Sequence, residues 1–435
     1  MINCKIQKEE HIKTKGYLDN IKELLTIVLL VISYVMNNSF LLLTVMVLAC
    51  GLVVFSNHQK AIYYLAFFTS FAEIFVYNGR SLFLLMLVLF ILKSIITNQI
   101  SRNTFLFYLV IFAYTILFSD IQAGFYFTKF IGLILVFVIP LVAYYSDKID
   151  CGVFIRHYIL GFVVATIIGF FVENIPSMYQ LFGVSFLYTE SQKEVTRFFG
   201  LAFDSNFYAL SNYTIIAYLL FAFEKITPVR GFLILFLLIP GIMTISKSYF
   251  LMIVILLIFY IVKNISKVKH LFLFVLFIIA GFLIFSIVSN KLGYNAIELV
   301  TSRFISGAGF AENTTGRTEI WKNYIDLFNE NGIKVWLFGF GFNANEFIGA
   351  AHNTFIEIVY HYGIVGLVLW GAYLAHCLNL FRIKSNTFEN KSPIICICFV
   401  AGIFFLSAFT YEAFWIGIVI SFMTLGRKKK IVNYQ

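Results

Sequence analysis

The chain has 435 residues, of which 60% are hydrophobic and only 12% charged, with a formal net charge of +10. Soluble globular domains carry roughly 25% charged residues, so this composition excludes an ordinary soluble enzyme and points to a chain that lives in lipid. The basic residues are scattered over many short loops, which favours a membrane-topology signal over a nucleic-acid surface.

Apolar runs of about 17–20 residues, the length that crosses a ~30 Å hydrocarbon core as helix, recur from Leu24 to Leu425. In chain order they predict about fourteen spans: 21–37, 39–55, 61–77, 81–97, 103–119, 123–145, 152–172, 204–223, 229–246, 247–262, 270–289, 355–381, 393–409 and 412–426. As one helix, 229–262 would run roughly 51 Å at 1.5 Å per residue, far beyond the core, so a turn is expected near Ser246-Lys247. The same reasoning divides 393–426 at Thr410-Tyr411-Glu412. Most of the 53 phenylalanines and 25 tyrosines sit in these runs, where lipid contact and helix packing account for them. The expected fold is all-α: a polytopic helical membrane protein, 1–435 forming a single membrane domain.

Most of the 32 basic residues, among them Lys22, Lys60, Arg102, Lys148, Arg156, Arg230, Lys263, Arg382 and Arg427, fall on one side of this pattern. Cationic loops stay in the cytoplasm. Residues 1–20 and 427–435 are therefore expected as cytoplasmic tails, and the loops 173–203 and 290–354 as periplasmic. The lysine-rich N-terminus reads as a retained tail, not a removable signal peptide. Cys4 and Cys151 fall inside, and Cys50, Cys377, Cys396 and Cys398 within spans, so no disulfide framework or metal knuckle is implied.

Chemistry is expected in the two outer loops. The first ends in Arg197-Phe-Phe-Gly200, then Phe203-Asp204-Ser-Asn206. An arginine on the outer side works against the charge bias. It is either an interfacial anchor or a planar fork for phosphate. Asp204 and Asn206 suit the cap of the next helix, the preferred role for Asp204. In the second loop, Thr315-Gly-Arg-Thr-Glu-Ile-Trp321 looks like a helix start capped by Thr315 or Thr318. Trp321, Ile325 and Phe328 would share one face. Arg317 then stands at the helix N-terminus, either bound to an anion or bridged to Glu312 or Glu319. Gly339 and Gly341 form a lone GxG that says only tight turn. His352-Asn353 precedes nine residues and then Gly363-Ile-Val-Gly366. His352, at the mouth of a span and near neutral pKa, can accept a proton from a sugar hydroxyl, or it is a hydrogen-bonded structural residue. His361 is the weaker candidate. There is no GxxxxGK[ST] loop, DxD pair, HExxH or GxSxG, which leaves an ATPase, a metalloprotease and an esterase unsupported.

Taken in order, Arg197-x-x-Gly200, Asp204-Ser-Asn206, Ser246-Lys247-Ser248, Gly316-Arg317 with Trp321, Leu337-Phe-Gly-Phe-Gly341 and His352-Asn353-(nine)-Gly363-x-x-Gly366 resemble the O-antigen ligase and Wzy-type O-antigen/capsule polymerase superfamily of bacterial inner membranes. The likeness covers roughly 195–370 in motif and the whole chain in membrane pattern. One departure is Lys247, where that family often has arginine. The resemblance implies a GT-C-like, metal-independent glycosyltransferase without cofactor, whose donor is a glycan on undecaprenyl pyrophosphate. Arg197 and Arg317, with Arg303 and Arg80, would bind the pyrophosphate and offset its developing charge. Lys247 and Asn353 would join the substrate site, and His352 would deprotonate or orient the attacking hydroxyl. A polymerase, whose acceptor is a second lipid-linked repeat unit, is favoured over a ligase acting on lipid A-core. A flippase or other transporter is the remaining class. The partners implied are the lipid-linked oligosaccharide and the bilayer, with a chain-length regulator as a candidate; no nucleic acid is implied.

Overall fold

The computed structural model describes residues 21–78, 80–118, 133–182, 187–190, 193–202, 204–223, 226–264, isolated positions between 272 and 287, 317–341, 350–384, 392–409 and 411–425. The expected tails 1–20 and 427–435, most of the 290–354 loop with Arg303, and half of the 270–289 span lie outside the described residues.

The body is helical. In chain order it contains α1 (21–35), α2 (Ser39–Phe55), α3 (His58–Phe68), α4 (Leu82–Ile96), α5 (Arg102–Leu117), α6 (Ile139–Tyr144) and α7 (Cys151–Gly169). It continues with α8 (Ser205–Phe221), α9 (Pro228–Met243), α10 (Lys247–Asn264), α11 (Arg317–Phe338), α12 (Thr354–Lys384), α13 (Pro393–Ile403) and α14 (Phe414–Leu425). Short polar side chains stand at the mouths and take up otherwise orphaned amides. Asn38 accepts from Leu41 N at 2.9 Å, Asn57 from Lys60 N at 2.8 Å and Asp150 from Val153 N at 3.0 Å. Asn37 and Asn98, at φ 48° and 53°, end the helices before them in the left-handed conformation that asparagine tolerates.

Among the described residues, three helices are long and apolar enough to cross a membrane, Cys151–Gly169, Lys247–Asn264 and Thr354–Arg382, and further apolar helices of 10–17 residues accompany them. Their outer faces are oily: Phe40 is 80% exposed and Phe55 90%. Such a surface suits lipid, not water. By contrast α8 is buried almost all round, from Tyr208 to Phe221, which makes it the central helix. It packs on α9, α10 and α13, while α3 lies against α7 and α11 against α12.

Several expected spans are shorter than drawn. Within 61–77 the α-helix stops at Phe68 and tightens to a 3₁₀ turn over Thr69–Ile74. The Thr69 hydroxyl bonds back to Leu65 O there at 2.7 Å. Within 393–409 the helix stops at Ile403, and the Thr354 hydroxyl takes over backbone pairing, donating to Leu406 O at 2.6 Å and accepting from Ala408 N at 2.9 Å. The division of 229–262 falls where expected: α9 ends at Met243 and α10 starts at Lys247, with Ile245 between them at φ 49°. A β-branched residue at positive φ is strained. Two short antiparallel hairpins interrupt the helical pattern, Val76–Tyr77 with Arg80–Ser81, and Leu187–Glu190 with Lys193–Thr196 in the first expected outer loop.

Candidate functional site

Two groups of residues meet at one end of the bundle. The first is built on α8 and the α9–α10 turn. The Arg197 Nε donates to the Thr244 carbonyl oxygen at 2.7 Å, and a terminal guanidinium nitrogen donates to Asn206 Oδ1 at 3.3 Å. Ser246 Oγ donates to the same Oδ1 at 2.7 Å and faces Ser248 Oγ at 2.8 Å. Gly200, at φ +60°, lets the chain turn here, since a Cβ on it would sit 2.6 Å from the Tyr208 ring. Thus Arg197-x-x-Gly200, Asp204-Ser-Asn206 and the Ser246-Lys247-Ser248 turn, separate in sequence, form one cluster. Lys247 is the first residue of α10.

The second group is built on α11 and α12. Arg317 opens α11. One turn on, Trp321 Nε1 donates to the Ala351 carbonyl oxygen at 2.8 Å, tying that turn to the residue before His352. His352 holds φ 47°, another left-handed non-glycine position. Asn353 is the cap of α12, its Oδ1 accepting from Phe355 N at 2.9 Å and Ile356 N at 3.1 Å. The Gly339–Gly341 turn docks on the kink at Gly363, Phe340 N donating to Tyr360 O at 2.8 Å. His361 is buried with Nδ1 3.2 Å from Gly341 O, so it belongs to this docking.

The imidazole joins the groups. Burial pushes the His352 pKa below its ordinary value of 6.5, and the Arg317 charge pushes the same way, while the Asp204 carboxylate opposes them. Arg317, His352 and Asp204 therefore share one electrostatic neighbourhood, and Asp204 also caps α8 through Asn206 N at 2.5 Å. The preferred cap role of Asp204 holds, and its charge on His352 is an addition that one-dimensional spacing does not reveal. The arrangement offers an imidazole as base beside the Arg317 guanidinium, a group suited to an anion.

Arg80 stands in the first hairpin opposite Tyr77, and its side chain is outside the description. Arg303 lies outside the described residues. The expected face of Trp321, Ile325 and Phe328 needs correction. Ile325 is 47% exposed, whereas Tyr324 and Phe328 are buried. Tyr324 meets Tyr360 edge to face at 5.3 Å, and that aromatic partner turns the helix.

A pair that sequence reading did not pick out lies near this end. Glu73, on the 3₁₀ turn, and Glu412 are hydrogen-bonded through their side chains and line a cavity of about 20 Å³ with Tyr158, Tyr208, Ser211 and Tyr411. Phe207 stacks on Tyr411 at 4.4 Å, joining this wall to the first turn of α8. No local motif marks either glutamate, because they are far apart in the chain.

Residues 232–371 match the family model of the O-antigen ligase domain, Wzy_C. The matched stretch runs from α9 into α12 and carries Ser246, Lys247, Arg303, Arg317, His352 and Asn353; Arg80, Arg197, Asp204 and Asn206 precede it. No curated protein and no solved structure matches the chain.

Proposed function

We propose that this chain, whose residues 232–371 match the O-antigen ligase family model, is a polysaccharide polymerase of the O-antigen ligase and polymerase superfamily. It joins undecaprenyl-pyrophosphate-linked repeat units at the periplasmic face of the bacterial inner membrane. The observation that carries this reading is His352 in the shared field of Arg317 and Asp204. The acceptor hydroxyl oxygen attacks the anomeric carbon of the donor glycan. Its proton passes to a ring nitrogen of His352 as the bond from that carbon to the pyrophosphate oxygen breaks. Both electrons of that bond leave on the pyrophosphate, whose charge Arg317 and Arg197 offset, with Arg303, Arg80 and Lys247 as further cations. Pyrophosphate is a good leaving group, so charge stabilisation matters more than acid help. Asn353 serves by capping α12 immediately after His352.

The family description itself supports a second reading, a ligase that passes the glycan to lipid A-core. Gene deletion separates the two on a lipopolysaccharide gel. Loss of a polymerase leaves core bearing one repeat unit, because the ligase still works. Loss of a ligase leaves bare core with lipid-linked polymer accumulating, and that outcome rejects the polymerase. Single units stranded on the cytoplasmic side reject both in favour of a flippase.

A further inference from the structure

The α11–α12 group carries an aromatic corner that the proton transfer does not use. Trp321 stands one turn after Arg317, at the i, i+4 spacing that puts two side chains on one helix face. Its indole N–H is taken up by the Ala351 carbonyl oxygen at 2.8 Å, which anchors the half-buried ring beside His352 and leaves it a face to offer, not a donor. Phe404 meets this ring edge to face at 5.4 Å, and Phe355 lies 6.4 Å from Phe404. Phe404 is 43% exposed and follows the end of α13. The Thr354 hydroxyl fixes the stretch after it, through Leu406 O at 2.6 Å and Ala408 N at 2.9 Å. Two segments distant in the chain are thus tied to the residues around His352, Trp321 to Ala351 and 404–408 to Thr354.

The surroundings restrict what can cover these rings. Exposed positions of α11 include Glu319, Lys322, Asp326 and Glu330, charges that hydrocarbon does not accept. The α11 side of the corner therefore faces water, where an aromatic face suits an amphipathic ligand. A pyranose ring is one: a face of C–H groups with a rim of hydroxyls. The C–H face packs on an aromatic ring by dispersion while the hydroxyls stay solvated or reach polar side chains.

We propose that Trp321 and Phe404 form a sugar subsite, stacking on the pyranose ring whose hydroxyl is presented to His352. This inference rests on the glycosyl-transfer reading given above and adds the side chains that select a carbohydrate at that place. Arg317 takes the phosphate, and Trp321, one turn on, takes the sugar beside it.

The test uses the full-length protein in detergent with lipid-linked repeat units as substrate. The competitor is undecaprenyl pyrophosphate, which has the tail and the phosphates but no sugar. Phe404→Leu removes the aromatic face and keeps an apolar side chain that suits lipid equally well. It is expected to keep the wild-type thermal midpoint and to raise the KM of the lipid-linked unit about fivefold, with the inhibition constant of undecaprenyl pyrophosphate unchanged. Phe404→Tyr should restore the KM. Trp321→Leu should raise the same KM about tenfold, and Trp321→Phe, which keeps a ring, should recover most of that loss. Equal rises in the KM and the inhibition constant would assign the rings to the polyprenyl tail and overturn the sugar subsite. A lowered thermal midpoint with no recovery in Phe404→Tyr and Trp321→Phe would mark the rings as structural and overturn it too. Folded leucine variants with a wild-type KM overturn the proposal while leaving the functional reading standing. That reading fails separately, if the wild-type protein does not extend lipid-linked units at all.

Discussion

Gly339 and Gly363 pack backbone against backbone: a Cβ on Gly339 would lie 2.7 Å from Gly363 N, and both glycines hold positive φ, +73° and +66°. Side chains at either site would meet main chain that cannot swing away, and would also be strained at positive φ, Gly363 with ψ −174° lying in a region that essentially only glycine occupies. Gly339→Ala and Gly363→Ala should each cost about 2–5 kcal/mol from strain and overpacking together. Gly332 also has positive φ, at +76°, but nothing lies within 4 Å of its Cβ position. Gly332→Ala should therefore cost less, about 1–3 kcal/mol from backbone strain alone. Thermal unfolding in detergent ranks the three; equal losses would mean that close approach plays no part.

The same contact shows what a single sequence discloses. The GxG turn was legible as a turn, because glycine spacing reports backbone conformation. That it docks on the kink at Gly363 was not, since close approach depends on two segments meeting. The α9–α10 division at Ser246-Lys247 followed from helix length alone. The shortening of 61–77 did not, because Thr69, Ser70 and Glu73 are too few to break an apolar run when only hydropathy is read. Arg317 and His352 could be singled out as a cation and a base at helix mouths. The link through Asp204 could not, for it joins residues 148 positions apart in the chain.

The His352 environment fixes a pH dependence. Its pKa is held below 6.5 by burial and by Arg317, against the pull of Asp204. A reaction needing the neutral ring is fully served at pH 7 and fails as pH falls through that lowered pKa. Asp204→Asn removes the opposing charge, so the acid limb of kcat/KM should move to lower pH. Arg317→Gln should move it, on the residual activity, to higher pH. Profiles that stay superimposed would remove His352 from the proton transfer.

Substitutions separate charge from geometry at the proposed site. Arg317→Lys keeps a cation but loses the planar fork, and should remain strongly impaired. His352→Ala should lower transfer by about 10²–10⁴-fold with donor binding largely intact. The exposed Lys322 is the control, and Lys322→Ala should be silent. His361 cannot serve as a second silent control, because it is buried against Gly341. Full activity in well-expressed Arg317→Lys and His352→Ala proteins would reduce the pair to structural residues.

The proposed orientation puts both termini in the cytoplasm and α11 in the periplasm. A phosphatase fused after the exposed Asn329 should be active, and a fluorescent protein fused at the same place should be dark. A bright, phosphatase-silent fusion would invert the chain and put the proposed site on the wrong side for a periplasmic donor.

The Glu73–Glu412 pair makes the last test. A hydrogen bond between two carboxyl groups contains a proton, and none of the residues lining their cavity is lysine, arginine or histidine. Glutamine in either place supplies N–H donors of similar shape, so Glu73→Gln or Glu412→Gln should change stability by less than about 1 kcal/mol. Alanine in either place strands the remaining carboxyl in the cavity and should cost about 1–3 kcal/mol. The pair also joins the 3₁₀ turn to the segment that carries Tyr411 against Phe207, so the alanine variants should loosen the first turn of α8, where Asp204 and Asn206 stand. Slower transfer in Glu73→Ala with wild-type transfer in Glu73→Gln is the expected pattern. Equal loss in both variants would show that the carboxylate charge itself is required, and that the shared proton is not what holds the two segments together.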